Sequence, residues 1–222
     1  MKQKEMQGDL QQATGNEPKA ESGFRMYSFL LLAVVAIISS IFVYYLYLST
    51  RSMLQERLKE RLLSITKTAS LLFSPEEVNS LVKLDSKSLG TREYSNAVKI
   101  LQEIKRVNRD IAYAYIFART ENSGYLKYVA DADVYILKAE LYFNEDEVVE
   151  EGLPGTLYDA SEVHSLNSGI AFERPTADEE PFMDEKWGIL FSAYAPIEGT
   201  DTIIGVDVSI QDFQRLINSL FV

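Results

Sequence analysis

Cysteine is absent from this 222-residue chain, and histidine occurs once, at His164. These gaps exclude a disulfide framework, a thiolate zinc site, a multi-histidine metal centre and cysteine catalysis. A serine–histidine–acid set would have to use His164, which sits in a polar acidic segment with no Gly-x-Ser-x-Gly elbow. Walker-type loops and glycine-rich phosphate cradles are also missing. With 33 acidic residues, carboxylate pairs at glycosidase spacing arise by chance and carry little weight. The chain is therefore read as non-enzymatic, with no cofactor and no metal.

Positive charge is scarce: 22 Lys and Arg face the 33 acids, for a net charge of −11. The imbalance is concentrated between Asp131 and Glu185, where Lys138 and Arg174 are the only bases. Such a surface repels phosphate backbones, so nucleic acid is not an expected partner. The acids serve either as a solvated loop face or as an attractor of a cationic ligand.

Charge of either sign is missing from Met26 to Thr50. At ~1.5 Å per residue, the apolar run from Met26 to Leu48 exceeds a ~30 Å hydrocarbon core. Tyr27 at one end and Tyr44, Tyr45 and Tyr47 at the other suit the two membrane interfaces. A cleaved signal peptide fits poorly, because a polar stretch precedes the run and no small-x-small site follows it. Arg51, Arg57, Lys59, Arg61 and Lys67 follow the run, while Lys19 and Arg25 stand just before it. Taken literally, the positive-inside rule puts the C-terminal side in the cytoplasm, but the rule weakens for long translocated domains.

The periodicity divides the rest. Residues 1–25 are polar and aperiodic, a disordered tail. Residues 26–49 are the membrane helix, and 50–73 continue it as a long helix. Leu54, Leu58, Leu62, Ile65, Ala69 and Leu72 form a stripe on it. That stripe packs on its own domain or on a second chain, as a homodimer through the 54–72 helix, and both uses can share the helix at different heights. Ser74-Pro75-Glu76-Glu77 is a capping box that opens a short helix. Thr91 caps another, with Tyr94, Ala97, Val98, Leu101, Ile104 and Val107 inward and Asn108 at its end.

The period then drops to two. Ile111, Tyr113, Tyr115 and Phe117 alternate with Ala112, Ala114, Ile116 and Ala118, predicting a central strand apolar on both faces. A turn at 121–124 leads to a partner strand, Tyr125 to Asp131. Residues 132–185 are mostly loop, with one short helix over Val163–Phe172. Strands follow at Trp187–Ile197 and Ile203–Ile210, and a closing helix spans 210–222, with Phe213, Leu216, Ile217, Leu220 and Phe221 on one face. Two hairpins with helices on one side make an α+β layer, and the segment between the hairpins can fold over the other face.

Several of these stretches together resemble the single Cache (PAS-like, PDC-type) sensor domains of bacterial membrane receptors. They are Ile111-Ala112-Tyr113-Ala114-Tyr115, Tyr128-Val129-Ala130-Asp131, Pro154-Gly155, Trp187-Gly188-Ile189-Leu190-Phe191-Ser192-Ala193-Tyr194-Ala195-Pro196-Ile197 and Ile204-Gly205-Val206-Asp207-Val208. The resemblance covers residues 50–222. It implies a five-stranded antiparallel sheet over 74–209, a long signalling helix and a small-molecule pocket between sheet and insert. It also implies a single-pass position in the inner (cytoplasmic) membrane with the sensor domain extracytoplasmic. Such domains normally precede a second membrane helix and an output module such as a diguanylate cyclase, adenylate cyclase, histidine kinase or chemoreceptor domain.

The candidate ligand-binding residues are Tyr113, Tyr115, Tyr128, Asp131, Trp187, Ser192, Tyr194 and Asp207. Tyrosine and tryptophan join an apolar body to a hydrogen-bonding tip, and Asp131 can hold an ammonium group. Expected partners are the lipid bilayer and a small molecule: an amino acid, an amine or a carboxylate. The competing use of each aromatic is plain core packing, and of Asp131 and Asp207 turn capping or strand-end solvation. Against the sensor stands a scaffolding membrane protein whose PAS-like domain is empty.

Overall fold

A computed structural model describes residues 19–122, 124–135, 152–184 and 187–210, with side chains from Met26 onward. The closing helix expected over 210–222 and residues 1–18 of the expected tail lie outside this set, apart from Ile210. Two compact units divide the chain, one ending at Gln55 and the other beginning at Glu56.

The first unit is helical. Helix α1 runs from Lys19 to Ser70 without a break, so Lys19–Arg25 belong to the helix and not to the tail. Between Met26 and Leu48 its large apolar side chains are exposed, from 43% at Leu48 to 71% at Phe29. A helix apolar on all sides and covered by nothing fits a lipid environment. Ser40 Oγ donates to Ala36 O at 2.8 Å, which satisfies a hydroxyl that lipid could not.

The second unit opens with the last turns of α1. Leu58, Leu62, Thr66 and Ala69 are buried there, so the stripe packs on its own domain. Two positions differ from the expected pattern: Thr66 is fully buried, and Leu72 is 52% exposed while Phe73 is buried. Thr66 fits because its hydroxyl donates to the Leu62 and Leu63 carbonyls, both at 3.1 Å. Leu72 leaves the stripe because α1 ends at Ser70, before the expected Phe73, and the next residues turn.

Helix α2 (Pro75–Leu81) starts at the expected capping box, with Ser74 and Glu77 bonding reciprocally. Helix α3 (Arg92–Val107) has Thr91 as its N-cap and buries Tyr94, Ala97, Val98, Leu101 and Ile104. Val107, expected inward, is 63% exposed, while Ile104 in the same last turn stays buried.

Among the described residues seven strands follow: β1 (Tyr113–Arg119), β2 (Tyr125–Asp131), β3 (Leu157–Asp159), β4 (Thr176–Ala177), β5 (Phe182–Asp184), β6 (Gly188–Pro196) and β7 (Thr202–Ser209). They form one sheet in the order β3-β2-β1-β7-β6-β4, with β5 also on β6, and every pairing is antiparallel. The fold class is therefore α+β. The four long strands are the two expected hairpins, while β3, β4 and β5 have two or three residues each, too few for a period to show. Helix α4 is only His164–Asn167. Gly169, at φ 77°, breaks the helix expected over 163–172 and starts a separate 3-10 turn at Ile170–Phe172.

β1 lies between β2 and β7, and its alternation separates two cores. Ala114, Ile116 and Ala118 join the larger core under α1, α2 and α3. Tyr115 and Phe117 join the smaller one with Leu126, Tyr128, Tyr194 and Ile203, covered by Ala160, Val163, Leu166 and Ala171. The segment between the hairpins thus covers the face opposite the helices.

Candidate functional site

The strand face under that segment opens into a cleft. Its floor comes from the long strands: Tyr113, Tyr115 and Phe117 of β1, Tyr128 and Asp131 of β2, Leu190 of β6 and Asp207 of β7. Its wall comes from shorter pieces: Tyr158 of β3, Phe182 and Asp184 of β5, and Trp187. Antiparallel register assembles the floor, since Tyr115 stands opposite Asp131 on one side and Gly205 on the other, and Tyr113 opposite Asp207.

Six of the eight candidates therefore line one cleft. The other two do not: Ser192 and Tyr194 point to the same face from β6 but are fully covered, at 0% and 1% exposure. Tyr194 fills the smaller core. Ser192 stands opposite Asp207 across the β6–β7 ladder, beside the floor.

The aromatic rings brace one another. Phe117 stacks on Tyr158 at 5.1 Å between centroids and meets Tyr128 edge-on at 4.7 Å. Trp187 meets Tyr113 edge-on at 5.0 Å. Asp184 fastens the wall, accepting from Trp187 N at 2.9 Å and from Tyr158 Oη at 3.3 Å. Asp131 caps the turn after β2 through Asp133 N, as well as facing the cleft.

Asp207 is the most enclosed acid of the floor. Tyr115 Oη donates to its Oδ1 at 2.9 Å, both side chains being buried. Burial pushes the Asp207 carboxyl up to about 7, against the pull of Ser192 and Tyr115. Burial also raises the Tyr115 and Tyr113 hydroxyls, with Asp207 adding to the first and Asp133 to the second. No base is among the described residues that line the cleft. Lys105 stands over the Tyr113 ring at 5.7 Å and is itself paired with Asp133.

The cleft is narrow. It holds about 350 Å³ of empty space including its mouth, but the centre of a water can occupy only about 20 Å³ of it. That is room for a water or two and not for an amino acid.

No family model matches the chain, and no curated protein matches it significantly. Solved structures do match. One is the extracellular domain of a protein described as a histidine kinase, mmHK1S-Z3, at 19% identity and TM-score 0.34, over 68% of this chain and 52% of that one. Another is a domain of a protein described as of the sensory box/GGDEF family, from Vibrio parahaemolyticus, at 12% identity and TM-score 0.35, over 73% and 64%. A third is the extracellular domain of mmHK1S-Z2, also described as a histidine kinase, at 16% identity and TM-score 0.30, over 68% and 60%. The chain spans less than two thirds of each of these three chains.

The functional reading is therefore built on the site. The sequence missed Phe117, Tyr158, Phe182, Asp184 and Leu190. Phe117 was within reach, as the next residue on the Tyr113–Tyr115 face. Tyr158, Phe182 and Asp184 sit on strands of three residues that carry no periodic signal.

Proposed function

We propose that this chain is a membrane-anchored sensory protein of the single Cache type, whose cleft takes a small molecule bearing an ammonium group. One observation carries this: Asp131, Asp184 and Asp207 converge with Tyr113, Tyr115, Tyr128, Tyr158 and Trp187 in a single cleft, and no base lines it among the described residues. Carboxylates supply charge-assisted hydrogen bonds to an ammonium, and aromatic faces attract a cation. A carboxylate ligand would meet three acidic side chains and no counter-charge among the described lining residues, so an amino acid or an amine is favoured over a simple carboxylate.

In the narrow state the cleft excludes such a ligand. Binding then requires the wall of Tyr158, Asp184 and Trp187 to move off the floor. A ligand shifts the protein only by its difference in affinity for the two states. On this reading the floor residues report occupancy through β1, whose other face rests on the helix-side core containing Leu58 and Leu62 of α1. The output lies in a further module or a partner.

The test is thermal unfolding of the full chain in detergent against a panel of amino acids, amines and carboxylates. At a ligand concentration a hundredfold above Kd, an amine is expected to raise Tm by about 5 °C or more. Asp131→Asn and Asp207→Asn are expected to abolish that rise. If no compound in the panel raises Tm, the scaffolding alternative replaces the sensor.

A further inference from the structure

Beside the cleft floor lies a row of buried polar side chains that shares only Asp207 with the ligand reading. Thr176 and Ala177 of β4 pair with Tyr194 and Ala193 of β6, and the next residue, Asp178, donates its N–H to Ser192 O at 3.0 Å. Ser192 stands opposite Asp207 on β7. Asp178, Ser192 and Asp207 thus form one row across three adjacent segments. Ser165 of α4 covers its end, donating to Asp178 Oδ1 at 2.9 Å. The row is closed to water: Ser192 is 0% exposed, Asp207 3%, Ser165 6% and Asp178 8%.

Two atoms in the row are buried without a hydrogen-bond partner, Asp178 Oδ2 and Ser192 Oγ. They are neighbours across the β4–β6 pairing. Ser192 lies near enough to both carboxyls to affect them, yet makes no hydrogen bond of normal length. Among the described residues no ion pair involves the row. Two ionised carboxylates on either side of a serine, out of water and without a cation, are costly, and so are two orphaned polar atoms.

One proton meets both costs. Placed on Asp178 Oδ2, it is donated to Ser192 Oγ, and the Ser192 hydroxyl is free to donate in turn to Asp207. We propose that Asp178, Ser192 and Asp207 form a proton-binding site, in which a single proton taken up between the two carboxyls completes a hydrogen-bonded chain through the serine.

The electrostatics agree with the geometry. Burial pushes Asp178 up to about 6, opposed by Ser165 and Ser192, and pushes Asp207 up to about 7. The groups that face the pair are Tyr115 and Tyr113 of β1, Asp131 of β2, Tyr158 of β3, Asp184 of β5 and Tyr194 of β6. Among the described residues all of these are acids or phenols, so none of them replaces the proton with a fixed positive charge.

Asp207 belongs to both the row and the cleft, which links the two. The proton neutralises part of the cleft floor, and a bound cation favours its release. This second half rests on the ligand reading, whereas the proton site itself does not.

The test reads the proton directly, with no ligand present. Infrared difference spectra of the full chain in detergent, between about pH 5 and about pH 8, report the C=O stretch of protonated carboxyls. A band that titrates between about 6 and about 7 is expected, altered in Asp178→Asn and in Asp207→Asn alike. Two results overturn the proposal: no such band in the wild type above about pH 5, or a band unchanged in both variants. Should either variant fail to fold, the wild-type band and the other variant still decide. If the band titrates as expected while amines leave Tm unmoved, the proton site stands and the ammonium reading alone falls.

Discussion

Gly205 lies beneath the Tyr115 ring. A Cβ at position 205 would sit 2.7 Å from Tyr115 Cζ and 2.9 Å from its hydroxyl oxygen. The missing side chain lets the ring lie flat across β7 and reach Asp207. Gly205→Ala must push the ring aside and is expected to cost about 1–3 kcal/mol, as overpacking does. Tyr115→Phe keeps the ring and removes the donor to Asp207, at a cost of about 1–3 kcal/mol when the carboxylate is ionised. That bond favours the ionised form, so the loss is expected to be larger at about pH 8 than at about pH 5. Denaturant unfolding at the two pH values measures both effects. In the wild type, both raised carboxyls contribute stability that is present below their unfolded pKa and lost as pH rises through about 6 for Asp178 and about 7 for Asp207. Asp178 was invisible to sequence reasoning, since one more acid in an acidic segment carries no mark of burial. Asp207 was legible because it interrupts an apolar strand.

At the scale of elements, legibility followed length. Strand β1 announced itself through the eight alternating residues from Ile111 to Ala118, and its two faces became the floors of the two cores. Both helix N-caps were readable because Ser74 and Thr91 use side-chain chemistry that is local in sequence. The register of β4 on β6, and of β3 on β2, was not readable: pairs so short are fixed by the chain around them. Helix α1 gives a direct comparison. Leu62 is fully buried and Leu72 is 52% exposed, although one stripe contains both. Leu62→Ala is expected to lose about 2–5 kcal/mol by opening a cavity, and Leu72→Ala no more than about 0.5 kcal/mol. Equal losses at the two positions in chemical denaturation would mean that the stripe is buried as drawn from the sequence, with Leu72 inward.

At the scale of the whole molecule, the absence of cysteine becomes an experimental asset. A single cysteine introduced at Tyr125, which is 41% exposed on β2, is the only thiol in the chain. If the second unit is extracytoplasmic, a membrane-impermeant maleimide is expected to label it in intact cells. Labelling only after lysis would place the unit on the side that the basic residues after Leu48 suggest. The apolar surface of α1 between Met26 and Leu48 predicts, in parallel, that the protein stays with the membrane pellet after an alkaline carbonate wash.

The cleft divides its labour, with a floor of long strands and a wall of short pieces. The helix-side core draws nothing from Tyr158, Phe182, Asp184 or Trp187. Substitutions confined to Tyr158, Phe182, Asp184 and Trp187 would therefore reshape the cleft wall and leave the helix-side core intact. The wall can thus be recut residue by residue on a frame that stays as it is.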